Sequence, residues 1–251
     1  MSVPSTVVIG MGPGLGQALV KKFAREGHRV AFVGRRAEAI ARYEHELRSE
    51  GLDVAGFVGD AGKPKDMDRV HASIREQHGD ADVLLYNAAI IEPARFVTPS
   101  RMDEVKYGTA DGWRSHGEAA SFDYVVDAFR TNVAGALHAA QAVAPRMIER
   151  GRGTILLTGG VLAFGPWIEW GVTSLGKAAL RSLGHSLEKE LSPAGIQVST
   201  VAIHGTMQAR TPYDHDLIAD AYWNLHVQPR EQWSPDFHFR ADAADGGDPD
   251  A

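Results

Sequence analysis

The sequence predicts a doubly wound α/β domain, in which helices cover both faces of a mostly parallel sheet of seven strands. Short β-branched runs alternate with stretches of helical period, and glycines close several of those stretches. The β-branched runs are apolar throughout rather than alternating, which is typical of strands buried on both faces. In such a fold the ligand crevice lies at the carboxyl ends of the strands.

The elements follow one another in a regular order. Leu19, Val20 and Phe23 recur at helical spacing after the first strand, and a glycine stops that helix at Gly27. The predicted strands are 6–10, 29–34, 53–60, 82–89, 153–160, 196–203 and an edge strand at 236–240. The predicted helices are 17–27, 37–51, 65–79, 121–151, the segment around Lys177, and 214–229.

Length and composition favour one domain and exclude several classes of protein. We assign residues 1–240 to the domain, with an irregular insertion at about 90–121, and residues 241–251 to a flexible acidic tail. The net charge of −6 without a basic stripe argues against nucleic acid. The chain has no cysteine, no histidine–carboxylate spacing typical of a metal site, and no signal or membrane-length apolar run. We therefore expect a cytoplasmic protein without metal or membrane.

A glycine-rich turn provides the first chemical signal. Gly10, Gly14 and Gly16 stand between the first strand and the first helix. Glycines here allow a tight turn and close approach of backbone to phosphate, and the helix start supplies N–H groups to a pyrophosphate. The position predicts a Rossmann-type nucleotide-binding site.

The ordered motifs resemble those of the short-chain dehydrogenase/reductase family over nearly the whole chain, to about residue 240. They are the glycine spacing Gly10-x-x-x-Gly14-x-Gly16, Asp60 after the third strand, Asn87-Ala88 after the fourth, Asn132, Lys177 and His204-Gly205. The resemblance implies a nicotinamide cofactor held by Gly10, Gly14, Leu15, Gly16, Arg35, Arg36, Asp60, Ala61, Asn87, Ala88, Lys177, Gly205 and Thr206. It also implies a homodimer or homotetramer.

Two positions depart from the family pattern. Aligning Lys177 places Thr173 where the family has its catalytic tyrosine, and Gly160 where it has its catalytic serine. In the family the tyrosine protonates the alkoxide that hydride transfer forms, and the serine orients the carbonyl. Threonine is a much weaker acid, and general acid catalysis needs a usable pKa within reach. The candidate catalytic set is therefore Asn132, Lys177, Thr173 and a replacement acid, His204. For Asn132, Lys177 and His204, purely structural roles remain open.

The end of the second strand bears on the cofactor. NAD binding favours a carboxylate there, but Gly34 occupies the position and Arg35 and Arg36 follow. Guanidinium groups suit a 2′-phosphate, so we expect NADP(H). The alternative is two solvated arginines at a helix start, where the helix dipole disfavours them.

Aromatic and loop residues are candidates for a small-molecule substrate pocket. The irregular stretch 90–121 offers Tyr107, Trp113 and His116. The full pocket prediction is Tyr107, Gly160, Trp167, Trp170, Met207 and Tyr213. The aromatic residues could equally pack loops onto the domain or onto a partner subunit.

Three functions remain compatible with the sequence. The first is an NADP(H)-dependent oxidoreductase acting on a small carbonyl, imine or conjugated alkene with non-standard proton donation. The second is a non-catalytic NADP(H)-binding protein. The third is a non-redox enzyme, a cyclase or isomerase, on the same scaffold. Reduction of an iminium or conjugated alkene depends less on proton donation by a phenol, which favours the oxidoreductase among the three functions.

Overall fold

The structure, a computed structural model, describes residues 3–102 and 117–241. Seven strands form one sheet in the order β3-β2-β1-β4-β5-β6-β7, and all six neighbouring pairs are parallel. The strands are β1 Ser5–Ile9, β2 Arg29–Gly34, β3 Val54–Val58, β4 Val83–Tyr86, β5 Gly153–Thr158, β6 Ile196–Ile203 and β7 Asp236–Phe239. The predicted fold class is confirmed.

Seven α-helices connect the strands within the described residues. They are α1 Leu15–Arg25, α2 Ala37–Ser49, α3 Pro64–His78, α4 Phe122–Phe129, α5 Gly135–Arg150, α6 Gly171–Leu191 and α7 His215–Val227. Four of the described helices end at glycines with positive φ: Gly27 (88°), Gly51 (81°), Gly79 (80°) and Gly151 (64°). Glycine accepts that conformation without steric cost, which is why it stops these helices.

The core has two layers, one on each face of the sheet. Alternate residues of β1 point to opposite faces: Val7 and Ile9 pack with α3, α5 and α6, and Val8 packs with α1, α2 and α7. All three side chains are at most 1% exposed. Strands covered on both sides gain from burying every residue, so they show no polar alternation.

The predicted single helix at 121–151 is three segments in the structure. A π-helical turn, Arg130–Ala134, joins α4 to α5. Single π turns inside helices are frequent at functional sites because they displace one residue from the regular helical face. Here the displaced turn carries Asn132.

The predicted irregular insertion lies partly outside the described residues. Residues 90–102 run without regular structure, apart from a bridge between Ala94 and Trp170. Residues 103–116, with Tyr107, Trp113 and His116, and residues 242–251 of the predicted tail lie outside the described ranges. No helix in the described ranges is long and apolar enough to span a bilayer.

Candidate active site

A cavity of about 170 Å³ opens at the carboxyl ends of β1, β2, β3 and β4. Its wall consists of five short segments that the sheet topology brings together. They are Ile9–Met11, Val33–Arg35, Gly59–Ala61, Asn87–Ala89 and Thr131. The crevice therefore lies where a doubly wound sheet is expected to bind its ligand.

The glycine-rich turn packs too tightly for side chains at two positions. A Cβ at Gly10, whose φ is 106°, would lie 2.3 Å from the backbone N of Ala88. At Gly16 it would lie 2.5 Å from the carbonyl oxygen of Gly10. Gly12 has nothing within 4 Å of its Cβ position. The turn is thus pressed against the end of β4 while one of its edges faces open space.

A third contact of this turn was not predicted. A Cβ at Gly14 would lie 2.8 Å from Nε2 of His215, the first residue of α7. The imidazole therefore covers the start of α1, where Leu15 is buried. Sequence reasoning missed this contact because Gly14 and His215 are distant in the chain and belong to no common motif.

Arg35 lies at the mouth of the cavity, directly after β2. It is exposed, and within residues 3–102 and 117–241 no carboxylate pairs with its guanidinium. Gly34, at the end of β2, also lines the cavity and brings no acid to it. Arg36 is the N-cap residue of α2 and does not line the cavity.

Asp60 and Asn87 hold the cavity wall in shape. Asp60 Oδ1 accepts a hydrogen bond from the Gly62 N–H (3.0 Å), and Lys63 Nζ lies 3.7 Å from Oδ2. Asn87 Nδ2 donates to the Gly10 carbonyl (2.9 Å), which ties the glycine-rich turn to the end of β4. Ala61 and Ala88 complete the wall beside them.

Asn132 makes two hydrogen bonds to one residue of the loop after β4. Its Oδ1 accepts from the Ile90 N–H (2.6 Å), and its Nδ2 donates to the Ile90 carbonyl (3.0 Å). The side chain is 3% exposed and packs beside Gly176 of α6. In this geometry Asn132 fastens the π-helical turn to the cavity wall.

Lys177 is 6% exposed and donates from Nζ to the Thr158 carbonyl at the end of β5 (2.7 Å). Burial lowers the pKa of this amine from 10.5 to about 8, because the charged form loses its hydration. The Thr158 hydroxyl is hydrogen-bonded to the Tyr222 hydroxyl instead of to the lysine (2.7 Å). An ammonium has three donors, and the hydrogen bond to Thr158 uses one of them.

Thr173 stands one helical turn before Lys177 on α6. Its side chain is 2% exposed, and its Oγ1 has no hydrogen-bond partner within the described residues. Gly160, after β5, has its Cβ position 4.0 Å from the Ile203 carbonyl oxygen and no closer neighbour. The absent side chain therefore leaves room at the carboxyl ends of β5 and β6.

The segment after β6 folds back on itself. Gly205 lies under the Tyr213 ring, since a Cβ there would be 2.3 Å from it, and the Tyr213 hydroxyl accepts from the Ala241 N–H (3.3 Å). Thr206 and Met207 are exposed. His204 Nε2 lies 2.7 Å from His238 Nδ1 of β7. The predicted pocket residue Tyr213 thus packs against its own loop in this structure.

A buried ion pair joins the loop after β4 to the segment before α6. Glu169 is 8% exposed; its Oε1 accepts from Arg95 Nε (2.9 Å) and Nη2, and its Oε2 from Ser100 Oγ (2.9 Å) and the Arg101 N–H (3.0 Å). These donors, Arg95 first, lower the pKa of Glu169 to about 2. We call these four residues the Arg95–Glu169 clasp.

The two predicted tryptophans lie beside the clasp in different environments. Trp170 is 5% exposed, and its ring centre is 6.4 Å from that of Trp167, which is 46% exposed. Neither lines the cavity described above. Trp170 serves the packing of the loop in this structure, which was the alternative left open by the sequence.

One protein-family model matches most of the chain. The model described as short chain dehydrogenase matches residues 5–216. The chain belongs to the short-chain dehydrogenase family. Among curated members, "Dehydrogenase/reductase SDR family member 4" of Sus scrofa is 31% identical over 189 residues, and its Homo sapiens counterpart is 30% identical over 192. Each match covers 75% of this chain and 61% of the relative's length.

Solved short-chain dehydrogenases share the fold. A metagenomic short-chain oxidoreductase in complex with NADP has a TM-score of 0.77 at 22% identity, covering 94% of this chain and 95% of the other. A short-chain dehydrogenase from Sphingobium yanoikuyae in complex with NADPH has a TM-score of 0.71 at 25% identity, covering 88% and 83%.

Ten of the predicted site residues fall into two groups in this structure. Gly10, Arg35, Asp60, Ala61, Asn87 and Ala88 share the cavity, whereas Thr173, Lys177, Gly160 and His204 lie at the ends of β5 and β6 or on α6. Met11, Ala89 and Thr131 also line the cavity and were not predicted. Their adjacency to predicted residues was the only sequence signal available.

Proposed function

We propose that this chain is an NADP(H)-dependent oxidoreductase that reduces a small carbonyl, imine or conjugated alkene, with a proton donor other than the family's tyrosine. The observation that carries the cofactor preference is the exposed guanidinium of Arg35 at the cavity mouth, without a carboxylate partner in the described ranges. Arginine pairs with phosphate through charge-assisted bonds, which a 2′-hydroxyl cannot match.

The residues present fit such a cofactor. Gly12 leaves open space above the glycine-rich turn, and Gly10 and Gly16 have no room for side chains. Asp60 lines the cavity, and its carboxylate would contact the adenine. Lys177 has two donors besides its bond to Thr158. A bound nicotinamide supplies two electrons and a hydrogen to an unsaturated carbon of the substrate.

The chain's own groups then hold the ligands and provide the proton. We assign Asn132 to the support of the cavity wall, since both its amide oxygen and its amide nitrogen bond to Ile90. We assign Lys177 to the ribose hydroxyls. We assign Thr173 and Gly160 to the positions of the family's tyrosine and serine, and we therefore assign proton donation to another group.

The first test compares the affinities of NADPH and NADH by tryptophan fluorescence or calorimetry. NADPH should bind more tightly, and Arg35→Ala should weaken it by about tenfold to a hundredfold, because one bond to a charged group contributes about 1.5–3 kcal/mol. NADH affinity should change little.

Arg42→Ala is the matched control, since it removes the same charge from α2 without touching the cavity. Equal loss in both variants would assign the effect to general electrostatics, and equal affinity for both cofactors would refute the preference. Screening carbonyls, imines and conjugated alkenes with NADPH tests turnover. Tight NADPH binding without any turnover would favour a non-catalytic binding protein.

A further inference from the structure

Two histidines meet at the carboxyl ends of β6 and β7. His204 follows Ile203, the last residue of β6, and its backbone N–H donates to the Phe239 carbonyl at the end of β7 (3.0 Å). His204 Nε2 and His238 Nδ1 are 2.7 Å apart. At this distance one ring donates and the other accepts, so the two rings share one proton.

An aromatic and charged platform fixes the pair. The Phe164 ring stacks on His204 at 6.3 Å and lies 4.9 Å from His238. The Arg181 guanidinium of α6 lies 4.6 Å from the centre of the Phe164 ring and is held by Asp236 of β7 (Nε–Oδ2 2.9 Å). Three segments of the fold therefore hold the histidines: the loop after β5, helix α6 and strand β7.

The pair lies at the same edge of the sheet as the hydrogen bond between Lys177 and the end of β5. Arg181 stands one helical turn after Lys177, and Lys177 contacts the end of β5. Gly160 follows β5 and leaves open space up to the Ile203 carbonyl, next to His204. His204, directly after β6, is therefore the titratable residue that follows β6 at the edge of the sheet where Lys177 contacts β5.

The surroundings of His204 favour its neutral form. Burial, then Arg240 and then His238, lower the pKa of His204 below 6.5. Asp236, on the same strand as His238, is paired with Arg181 and His185 rather than with the histidine pair. A neutral imidazole carries a proton on one nitrogen and a lone pair on the other, which is what a relay requires.

We propose that His204 and His238 form a proton relay that serves the reduction, an inference that rests on the proposed function. A solvent proton binds to Nε2 of His238, its Nδ1–H proton passes to Nε2 of His204, and the Nδ1–H bond of His204 breaks to protonate the reduced substrate. Each ring gains one proton and loses one, so both end neutral, and the electrons come from NADPH. His204 is the proton donor, and His238 is the positioning residue behind it.

Two substitutions separate a hydrogen bond from a relay. His238→Asn keeps a hydrogen-bonding group near the position of Nδ1 but cannot relay a proton, and His238→Phe removes both properties. Both should lower kcat by about tenfold with an unchanged Kd for NADPH. His204→Gln should lower kcat by about a hundredfold, the lower end of what a positioned acid provides. His185→Gln, in the same cluster but outside the relay, should leave kcat unchanged.

The pH profile and NMR provide readouts that a structural role would not move. Because the relay passes protons through neutral rings, kcat for reduction in the unmodified protein should not fall as pH rises through the lowered pKa of His204. In His238→Asn, where His204 must first take up a proton before it can donate one, kcat should fall as pH rises through that pKa. Because His238 lowers the pKa of His204, His238→Asn should raise it in ¹⁵N-detected imidazole titrations of the cofactor-free protein.

The outcomes distinguish the two proposals. If the His204 titration does not change in His238→Asn, the rings are uncoupled and the relay is refuted, whatever the activity. If kcat and its pH profile survive in both His238 variants, the relay is refuted while the proposed function stands. If no substrate is reduced by the unmodified protein, the proposed function fails, and the relay fails with it.

Discussion

Single residues at this site show two different kinds of burial. Lys177 is buried with a partner, the Thr158 carbonyl, and its pKa is lowered to about 8. Thr173, one turn away, is buried with a hydroxyl that has no partner in the described ranges. A buried hydroxyl without a hydrogen bond costs free energy, which makes Thr173 an unfavourable choice for packing alone.

Thr173→Val tests whether that hydroxyl has a chemical role. The substitution keeps the shape and removes the unpartnered oxygen, so the free energy of unfolding should rise by about 1 kcal/mol. Turnover should change by less than about tenfold, or about 1.4 kcal/mol of barrier. Denaturant unfolding and kcat measure the two quantities. A folded, cofactor-binding variant without activity would show instead that Thr173 acts directly on the substrate.

The glycine-rich turn and the family resemblance together allowed part of the cavity wall to be predicted, but not the contacts around it. Gly10, Asp60 and Asn87 follow strands in a recognisable order, so their convergence follows from the parallel sheet. The contacts of His215 with Gly14 and of His238 with His204 join residues far apart in the chain. Such pairs depend on tertiary packing, which a single sequence does not encode in any local pattern.

At the level of elements, the Arg95–Glu169 clasp joins two loops that flank the crevice. The Ala94 N–H donates to the Glu169 carbonyl (2.8 Å), and the Gly171 N–H to the Ala94 carbonyl (3.0 Å), so backbone and side chains act together. The clasp therefore fixes the start of α6, which carries Thr173 and Lys177. The sequence drew attention to the tryptophans of this region, whereas the contact that holds its two loops together is the ion pair between Arg95 and Glu169.

Glu169→Gln should lower the Tm at pH 7 by about 5 °C, because it leaves Arg95 without its charge partner. The folded pKa of Glu169, about 2, lies below the ordinary value of 4.5. The contribution of Glu169 to the free energy of unfolding is therefore complete above pH 4.5 and is lost as pH falls through about 2. In thermal scans, the difference in Tm between the unmodified protein and Glu169→Gln should accordingly be smaller at pH 3 than at pH 7.

Asp127→Asn supplies the control for the clasp. It removes a carboxylate from an exposed pair with Arg130 on α4, and such pairs contribute little. A Tm loss in Asp127→Asn as large as that in Glu169→Gln would argue against a special role for the clasp.

At the level of the whole molecule, a buried histidine makes the stability of the fold depend on pH. His71 of α3 is 8% exposed, and its Nε2 has no partner in the described ranges. Burial first, then His138 of α5 and Arg75, lower its pKa from 6.5 to about 4, against a smaller opposing effect of Asp68. Between these values the unfolded chain holds a proton that the folded chain does not. Stability must therefore fall as pH drops from 6.5 to 4.

His71→Leu should reduce this acid sensitivity. The shift corresponds to at most about 3 kcal/mol, so the variant should gain stability relative to the unmodified protein between pH 6.5 and 4. His45→Leu, at an exposed position of α2, should not. Urea unfolding at several pH values measures the difference, and parallel curves for the unmodified protein and His71→Leu would contradict the assignment.

The order of the cavity residues along the chain has a consequence for how relatives of this protein could recombine. Every segment that lines the cavity lies between Ile9 and Thr131, whereas Gly160, Lys177, His204 and His238 come later. The stretch with Arg35, which would select the cofactor, and the stretch with His204 and His238, which would handle the proton, are therefore separate parts of the sequence joined along β4 and β5. Lys177, in the second stretch, would still contact the cofactor ribose. Recombination between relatives within α5 would exchange one chemistry for another while the preference for the cofactor is inherited intact.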